Sequence, residues 1–289
     1  MNKIIIFYLI LFFGLKYIYK QLNIRTLENN NSKLNKYIFS SNKPTMWVHI
    51  PYDKNSRSWE SFGSRTSNHV NIPFINLCVD SIFKHNKDDF NIIIVNDESF
   101  NEYIPSWKYN LKYTPHIEKI KIRQYGLLNL LYHYGGMVVP YSFFCKKSLI
   151  DFYKDNVVSF EVPNISINDT SNLFLPSIDF ISAPKNNVFI NKLIETYTNI
   201  ENKVNNTVGN ILKENSIIVD GKLIGVKNAE NKVVYIDDYF NKPQLIHDRY
   251  GLLLPVNDLL RKTKYSWFCR MSEKQLKNSN IFISRELVN

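Results

Sequence analysis

The chain has 289 residues, which is long enough for one sizeable globular domain with a buried core. Apolar residues make up 44% of it and charged residues 21%, a balance that is ordinary for a folded protein and argues against wholesale disorder. The net charge is +10, but the basic residues form no run of the kind that binds nucleic acid, so we predict no nucleic-acid partner.

The N-terminus is typical of a membrane anchor. Residues 4–15 are apolar and are followed by Lys16, Tyr17 and Tyr19. The stretch is shorter than the roughly twenty residues of a spanning helix, but a snorkelling lysine and interfacial tyrosines extend its reach. No small-residue cleavage site follows it, which favours a retained signal-anchor. We predict a single-pass membrane-anchor helix within residues 1–20 and leave its orientation open, because basic flanking residues favour a cytoplasmic body whereas long domains often cross regardless.

The next segments indicate a stalk and then a folded domain. Residues 21–43 are polar, rich in Asn and Lys and without sustained periodicity, as expected of a stalk, and the domain is predicted over residues 44–289. A β-like run at residues 45–50 precedes helical spacing at residues 72–84, and a buried strand at residues 90–95 ends at Asp97. This alternation predicts an α/β domain whose open, mainly parallel sheet is flanked by helices.

A buried helix and a glycine turn form the clearest pattern in the chain. Thr114 and Pro115 are typical of a helix start, with an N-cap hydroxyl and a proline in the first turn. The second half of this helix is apolar nearly all round, which predicts burial. Gly135 and Gly136 then allow a left-handed end and a close turn. A strand follows, and Pro140 ends it.

The second half of the chain carries weaker signals. A strand is expected to end near residue 183, with a helix after it. The Asp220-Gly221 pair between two apolar runs predicts a hairpin. Residues 233–236 predict a further strand that ends at Asp237 and Asp238.

The residues from Arg123 to Ser142 carry a resemblance to a known family. This stretch contains a Leu-Tyr-His-Tyr-Gly-Gly turn that ends at Gly136, followed by a strand. It resembles the core of the DXD-containing family 32 glycosyltransferases and related capsular-polysaccharide synthesis proteins, which in outline read Asp-x-x-Arg, a Leu-Tyr-x-x-Gly-Gly turn and a strand ending Asp-x-Asp. The opening strand around Trp47 and the Ile-Ser-Ala-Pro segment ending at Pro184 are similarly placed. The resemblance covers roughly residues 44–197.

The resemblance implies a fold, a reaction and partners. The fold is GT-A-like, an open α/β sheet with a nucleotide at the carboxyl ends of its strands. The reaction is transfer of a sugar from a nucleotide-sugar donor to a hydroxyl of a glycan or protein acceptor, with retention at the anomeric carbon. The DXD carboxylates of the family hold Mn²⁺ or Mg²⁺ against the diphosphate of the donor.

This chain departs from the family at the charged motif positions. Counted from the glycine pair, the two DXD aspartates fall on Pro140 and Ser142, so metal ligands are unknown. The upstream Asp and Arg fall on Gln124 and Leu127, and Arg123 could replace either only by a register shift. Because all four charges are missing together, the chemistry is expected to be relaxed or redirected.

Three interpretations remain open at this stage. The first is a transferase that neutralises the diphosphate with basic residues instead of a metal. The candidates for that role are Lys146, Lys147, His247 and Arg249. The second moves a Mn²⁺ or Mg²⁺ site to other acids, either Asp97 or the pair Asp237 and Asp238. The third is a catalytically inactive binding or scaffold protein at a membrane.

These interpretations define a predicted site. The predicted catalytic residues are Asp97, His247 and Arg249. Contacts to the donor are predicted for Trp47, Arg57, Arg123, Tyr141 and Lys146. In the loop after the first strand, Arg57 or Arg65 would bind phosphate and Trp47 or Trp59 would stack on the nucleotide. The three cysteines lack metal-ligand spacing and are expected to be buried thiols.

Overall fold

The structure is a computed structural model. It describes residues 42–51, 72–105, 107–164, 174–199, 204–241, 249–256, 259, 263–281, 283–284 and 287. The segment Lys43–Asn289 forms one compact unit. Residues 1–41, with the predicted anchor and nearly all of the stalk, lie outside the described residues, so both stay predictions. Within the described part of the chain, no helix is long and apolar enough to cross a membrane.

Eight strands and seven helices are used below to locate the site. The strands are β1 (Thr45–His49), β2 (Asn91–Val95), β3 (Gly136–Pro140), β4 (Phe143–Cys145), β5 (Val158–Pro163), β6 (Phe174–Ala183), β7 (Ile217–Val219) and β8 (Gly251–Leu253). The helices are α1 (Pro73–Asn86), α2 (Phe100–Tyr103), α3 (His116–Tyr134), α4 (Val188–Asn199), α5 (Val204–Asn215), α6 (Ile236–Asn241) and α7 (Glu273–Asn278).

Six of these strands form one open sheet in the order β2-β1-β3-β6-β5-β7. The pairings β1–β2, β1–β3 and β5–β7 are parallel, whereas β6 runs antiparallel to both β3 and β5. Strands β4 and β8 form a separate antiparallel pair. Helix α3 packs on β3 and β6 and against α4, and α1 packs on β4. The predicted α/β class, with a mainly parallel sheet flanked by helices, is confirmed.

The central parallel strands β1 and β3 are buried on both faces apart from Pro140 at the end of β3, as sheets covered by helices require. Met46 and Val48 of β1 join Met137 and Val139 of β3 in one hydrophobic cluster. Trp47 points to the other face, since successive side chains of a strand alternate, and it is fully buried there. The apolar runs of β1 and β3 therefore correspond to the centre of the sheet. The strand predicted at residues 90–95 exists, but β2 lies at the edge of the sheet and Ile94 is 47% exposed, so its predicted burial holds only in part.

Two glycines let α3 run directly into the middle of this sheet. Gly135 has φ +70° and Gly136 has φ +106°, values that side chains rarely adopt. A Cβ atom on Gly136 would lie 2.0 Å from the backbone oxygen of Thr45 in β1. The turn predicted from the glycine pair is confirmed, and its tightness brings β3 alongside β1.

Two predictions of local structure at polar residues were wrong. Thr114 does not cap α3, because its hydroxyl donates to the Asn110 carbonyl at 2.8 Å and Pro115 occupies the N-cap position. The Asp220-Gly221 pair makes no hairpin. The Asp220 side chain accepts from the Lys222 backbone N–H at 2.8 Å and starts a short 3₁₀ helix instead.

The strand predicted for residues 233–236 was also wrong. Val233 forms only an isolated bridge with Lys227, and the chain then enters α6 at Ile236. Asp237 and Asp238 consequently lie in the first turn of a helix, where carboxylates favour the positive end of the helix dipole. They do not end a strand.

Candidate functional site

The carboxyl ends of β1, β2 and β3 meet at one edge of the sheet, because the three strands are parallel. His49 ends β1 and pairs in register with Val95 on one side and Pro140 on the other. Asp97 follows two residues after β2, and helix α3 carries Arg123. In open α/β sheets this edge is where ligands bind.

Three side chains form what we call the edge cluster: His49, Asp97 and Arg123. Arg123 donates from Nε to Asp97 Oδ1 at 2.8 Å and from Nη2 to Oδ2 at 2.6 Å. His49 Nε2 lies 3.0 Å from the same Oδ1. All three side chains are nine-tenths buried or slightly more. The cluster is therefore a buried, bidentate ion pair with an added imidazole contact, a geometry that fixes the relative positions of its partners.

Aromatic rings hold the imidazole of the edge cluster in place. The His49 ring stacks on Phe100 at 5.2 Å, and Phe100 in turn contacts Trp107 at 5.0 Å. Trp107 stacks on Tyr125 of α3 at 6.1 Å. The rings run from the fully buried Phe100 to the half-buried Trp107 and Tyr125, so the cluster is connected to the surface through packed aromatic groups.

The charge state of Asp97 follows from these contacts. Burial by itself raises the pKa of this carboxyl, but hydrogen bonds from His49 and Arg123 outweigh it and lower the pKa to about 2. Asp97 is thus ionised at neutral pH, and both of its oxygens are already engaged. This arrangement argues against Asp97 as a proton acceptor or metal ligand. It favours a positioning role in which the segment after β2 is held to α3.

Asp97 is expected to stabilise the fold above about pH 4 and to lose this contribution as the pH falls towards 2. Its folded pKa of about 2 lies below the unfolded value of about 3.9, so the ionised form favours the folded state. The shift corresponds to about 2.6 kcal/mol at neutral pH, of which roughly half should remain at pH 3. Urea unfolding of wild type and Asp97→Asn at pH 6 and pH 3 measures the difference.

The matched control for this experiment is Asp88→Asn, which changes an exposed carboxylate. Its difference from wild type should be small at both pH values, because exposed groups contribute little. An Asp97→Asn deficit that is equally large at pH 6 and pH 3 would contradict the assigned pKa.

A second group of polar side chains lies beside the edge cluster. The sequence did not predict that these side chains come together. The Tyr197 hydroxyl of α4 donates to Gln124 Oε1 at 2.9 Å. Gln124 and the charge of His49 both act on the Asp179 carboxylate of β6 and lower its pKa. One signal of this group was Gln124, because it falls on the position of the upstream aspartate in the family that the sequence resembles. The single carboxylate within the apolar run Ile-Asp-Phe-Ile was a further signal that could have been used.

These three side chains line a pocket with a volume of about 160 Å³. Asp179 reaches solvent at its mouth, yet it lies deep enough among protein atoms for burial to raise its pKa. Gln124 and the His49 charge oppose this rise. Burial also raises the pKa of Tyr197, and the neighbouring Asp179 adds to that rise, so the hydroxyl stays a hydrogen-bond donor.

The remaining predicted donor contacts are dispersed. Trp47 is enclosed between Tyr103 and Tyr134, with ring centroids at 5.6 and 5.5 Å, and its Nε1 donates to the Gly135 carbonyl at 3.0 Å. Tyr141 packs against two hydrophobic clusters of the core. Both positions are those of structural aromatic residues, and a stacking role for Trp47 stays a prediction without support from its surroundings.

Among the predicted basic residues that the structure describes, Arg123 belongs to the edge cluster, whereas Lys146 and Arg249 lie elsewhere. Lys146 lines a different pocket, of about 490 Å³, together with Lys84 and Lys277, and this pocket shares no lining residue with that of Asp179. Arg249 is buried beside Tyr239, whose pKa burial raises and the Arg249 charge lowers. Outside the described residues lie Arg57, Trp59, Arg65 and His247.

The described residues do not fit the divalent cation that the family resemblance implies. They include no group of three or more His, Cys, Asp or Glu side chains placed to hold a metal ion. Pro140 and Ser142 offer no carboxylate, and Ser142 is buried. Asp237 accepts from Lys264 at 2.8 Å and from the Tyr265 hydroxyl, so its carboxylate is engaged as well. We derive no chemical step through a metal.

Fold and site together define a mixed α/β protein with polar side chains at the carboxyl edge of its parallel strands. No protein-family model matches the chain, and no curated protein matches its sequence. A solved structure described as "PaToxG Glycosyltransferase" is similar to it with a TM-score of 0.35 and 17% identity, over 69% of this chain and 79% of that chain. This likeness is distant and assigns no activity, and the resemblance to family 32 stays a prediction.

Proposed function

We propose that the chain is a glycosyltransferase-like protein with a GT-A-like fold that binds a nucleotide-sugar at the carboxyl edge of β1, β2 and β3. In the proposed reaction the sugar passes to a hydroxyl of a glycan or protein acceptor. The observation that carries the proposal is the placement of the motif-like residues. The stretch from Arg123 to Ser142 folds as a buried helix segment, a glycine turn and a central strand. Arg123 at its start pairs with Asp97, and Pro140 near its end pairs in register with His49.

The topology supports the proposed ligand position. Open sheets bind nucleotides where the carboxyl ends of parallel strands leave a crevice, and the polar side chains of the edge cluster and of Gln124 lie at this end. The edge cluster ties α3 to the segment after β2 at that place. A preorganised edge of this kind lowers the cost of ordering loops around a ligand.

In the proposed site, basic side chains neutralise the negative charge of the diphosphate, because the described residues do not fit a divalent cation. Arg123 is engaged by Asp97, and Arg249 lies beside Tyr239. The basic side chains to be tested for binding to the diphosphate are therefore Arg57 and His247. Loops that follow strand ends often hold such residues, and Arg57 comes eight residues after the end of β1.

A second candidate is a catalytically inactive protein that binds the same ligand. The observation that favours it is the joint absence of charge at Gln124, Leu127, Pro140 and Ser142. Fold alone does not establish activity, since function depends on the chemistry of the site. Both candidates bind the nucleotide-sugar, but only the transferase turns it over.

The full-length chain is expected to bind at least one of UDP-glucose, UDP-N-acetylglucosamine and GDP-mannose, with an affinity that is the same in Mn²⁺ and in EDTA. Arg57→Gln and His247→Gln should each weaken binding by roughly 10-fold or more, the size expected for one lost charge-assisted hydrogen bond. Isothermal titration measures the affinities, and release of the nucleoside diphosphate measures donor hydrolysis.

Lys154→Gln is the matched control, because it removes one charge from an exposed side chain. It should leave the affinity unchanged. Binding with release of the diphosphate supports the transferase, and binding without release supports the inactive candidate. If no nucleotide or nucleotide-sugar binds under either condition, the proposal is wrong.

A further inference from the structure

We infer that Asp179, Gln124 and Tyr197 form a subsite for one sugar ring, in which Asp179 supplies from β6 the carboxylate that the motif positions no longer provide. This inference rests on the proposed function and deepens it, because it names the part of the ligand that the pocket recognises. It assigns a specificity-determining role to Asp179, a residue outside the motif-like stretch.

A bulge in β6 gives Asp179 its position. The neighbouring residues Ser159 and Phe160 of β5 pair with Ile181 and Ser177 of β6, so residues 178–180 are left out of the ladder. Bulges of this kind re-aim a side chain and are frequent beside active sites. Phe180 within the bulge is fully buried against Phe160, with ring centroids at 3.9 Å, which anchors the bulge in the core.

The pairing of β6 with β3 brings the bulge to the carboxyl edge of the sheet. Val138 of β3 pairs with Ile181, two residues before the lost aspartate position at Pro140 and two residues after Asp179. Asp179 is therefore on the strand next to the lost motif and at the same end of the sheet. The charge of His49 lowers the pKa of Asp179, which agrees with this proximity.

The side chains of the pocket offer the groups that bind sugar hydroxyls. Asp179 can accept several hydrogen bonds, and Gln124 lines the same pocket and lowers the pKa of its carboxyl. Tyr197 orients Gln124 by donating to Oε1, which leaves the amide N–H groups of Gln124 for Asp179 and for a ligand. Ser177 and Asn164 add further polar lining. A polyhydroxyl ring fits this mixture of acceptors and donors better than a phosphate does, because a carboxylate repels anions.

The size of the pocket restricts the occupant to a single ring. Its volume of about 160 Å³ lies below the range of about 300–1,000 Å³ that is typical of pockets for drug-sized ligands. A whole nucleotide-sugar does not fit inside it. The nucleotide would lie along the edge of the sheet, with the sugar entering the pocket at Asp179.

The first experiment compares each nucleotide-sugar with its own nucleoside diphosphate. Wild type should bind UDP-glucose, UDP-N-acetylglucosamine or GDP-mannose about 10-fold more tightly than UDP or GDP. Asp179→Asn, which keeps the shape of the side chain, should abolish this preference and change the affinity for the diphosphate by less than about 2-fold. Tyr197→Phe should reduce the preference in part, because Gln124 loses its orienting partner. Asp155→Asn, an exposed carboxylate elsewhere, is the matched control and should keep the full preference.

The second experiment separates this inference from the proposed function. Saturation-transfer NMR with free glucose, N-acetylglucosamine and mannose at millimolar concentration should give signals with wild type that disappear with Asp179→Asn. If the diphosphates bind but Asp179→Asn keeps the full sugar preference, the subsite is wrong while the proposed function stands. If no nucleotide binds and free sugars still give Asp179-dependent signals, the proposed function fails and the sugar pocket stands. The absence of any Asp179-dependent sugar signal in both experiments overturns the inference.

Discussion

Arg123→Met is expected to lower the free energy of unfolding by about 3 kcal/mol, because it leaves the buried Asp97 carboxylate without its bidentate partner. The His49 Nε2 contact to Asp97 Oδ1 at 3.0 Å is not removed by this substitution, which places the effect at the lower end for broken buried pairs. For a unit of this size, the melting temperature should fall by roughly 6–12 °C. Urea unfolding of the full chain measures the change.

A double-mutant cycle isolates the pair from the other losses. Asp97→Asn together with Arg123→Met should cost less than the sum of the single variants, with an interaction energy of about 2 kcal/mol. Lys121→Met is the matched control, since it removes the same charge two residues earlier, on a different face of α3. The control should change stability by less than about 1 kcal/mol. Strict additivity of the two single variants would show that Arg123 and Asp97 do not stabilise the fold as a pair.

Gly136→Ala is expected to prevent folding or to cost more than about 4 kcal/mol, the largest effect of any substitution considered for this chain. At φ +106° a side chain is strained, and the added Cβ would lie 2.0 Å from the Thr45 oxygen. That oxygen belongs to the backbone of β1, so it cannot move away without displacing the strand. Soluble yield, far-UV circular dichroism and urea unfolding measure the loss.

Two further glycine variants provide the controls for Gly136→Ala. Gly135→Ala should be destabilising to a smaller degree, because its Cβ would lie 2.7 Å from the Lys185 backbone nitrogen at φ +70°. Gly209→Ala in α5 meets only the Leu175 side chain at 3.0 Å, and alanine favours a helix, so its effect should stay within about 1 kcal/mol. If Gly136→Ala is as stable as Gly209→Ala, the close approach of β3 to β1 is wrong.

The glycine turn has a steric cause that does not depend on the polar residues after it. The turn is a requirement of placing β3 beside β1, whatever residues follow at the end of the strand. Pro140 ends β3 and Ser142 lies after it, so neither residue takes part in the contact between Gly136 and Thr45. The close approach of β3 to β1 therefore does not require acids at these positions.

Sequence reasoning succeeded where the physical cause is local. The strands around residues 45–49, 91–95 and 136–140 follow from short apolar runs, and α3 follows from helical periodicity ended by a glycine pair. It failed where one local sequence pattern is compatible with two different structures. Asp220-Gly221 is compatible with a hairpin, but the aspartate caps a 3₁₀ turn, because its side chain reaches the Lys222 N–H.

The candidate site was predictable only in part. Asp97 was recognised because it follows a buried strand, and Arg123 because it lies next to a motif position. Their hydrogen bond was not foreseen, and it reverses the expected role of Asp97, since a carboxylate with both oxygens engaged and a pKa of about 2 is a poor base. Asp179 was missed because its exposure depends on a bulge, and a bulge is set by the register of two strands.

The sequence by itself determined the α/β class, the buried second half of α3 and the glycine turn, because each of these follows from residue type and short-range spacing. Only the tertiary structure decided which polar groups meet. His49, Asp97 and Arg123 are separated by 48 and 26 residues, and Asp179 reaches Gln124 from another strand. Such contacts depend on strand order and register. Both arise from the packing of the whole sheet and cannot be read from the local sequence pattern.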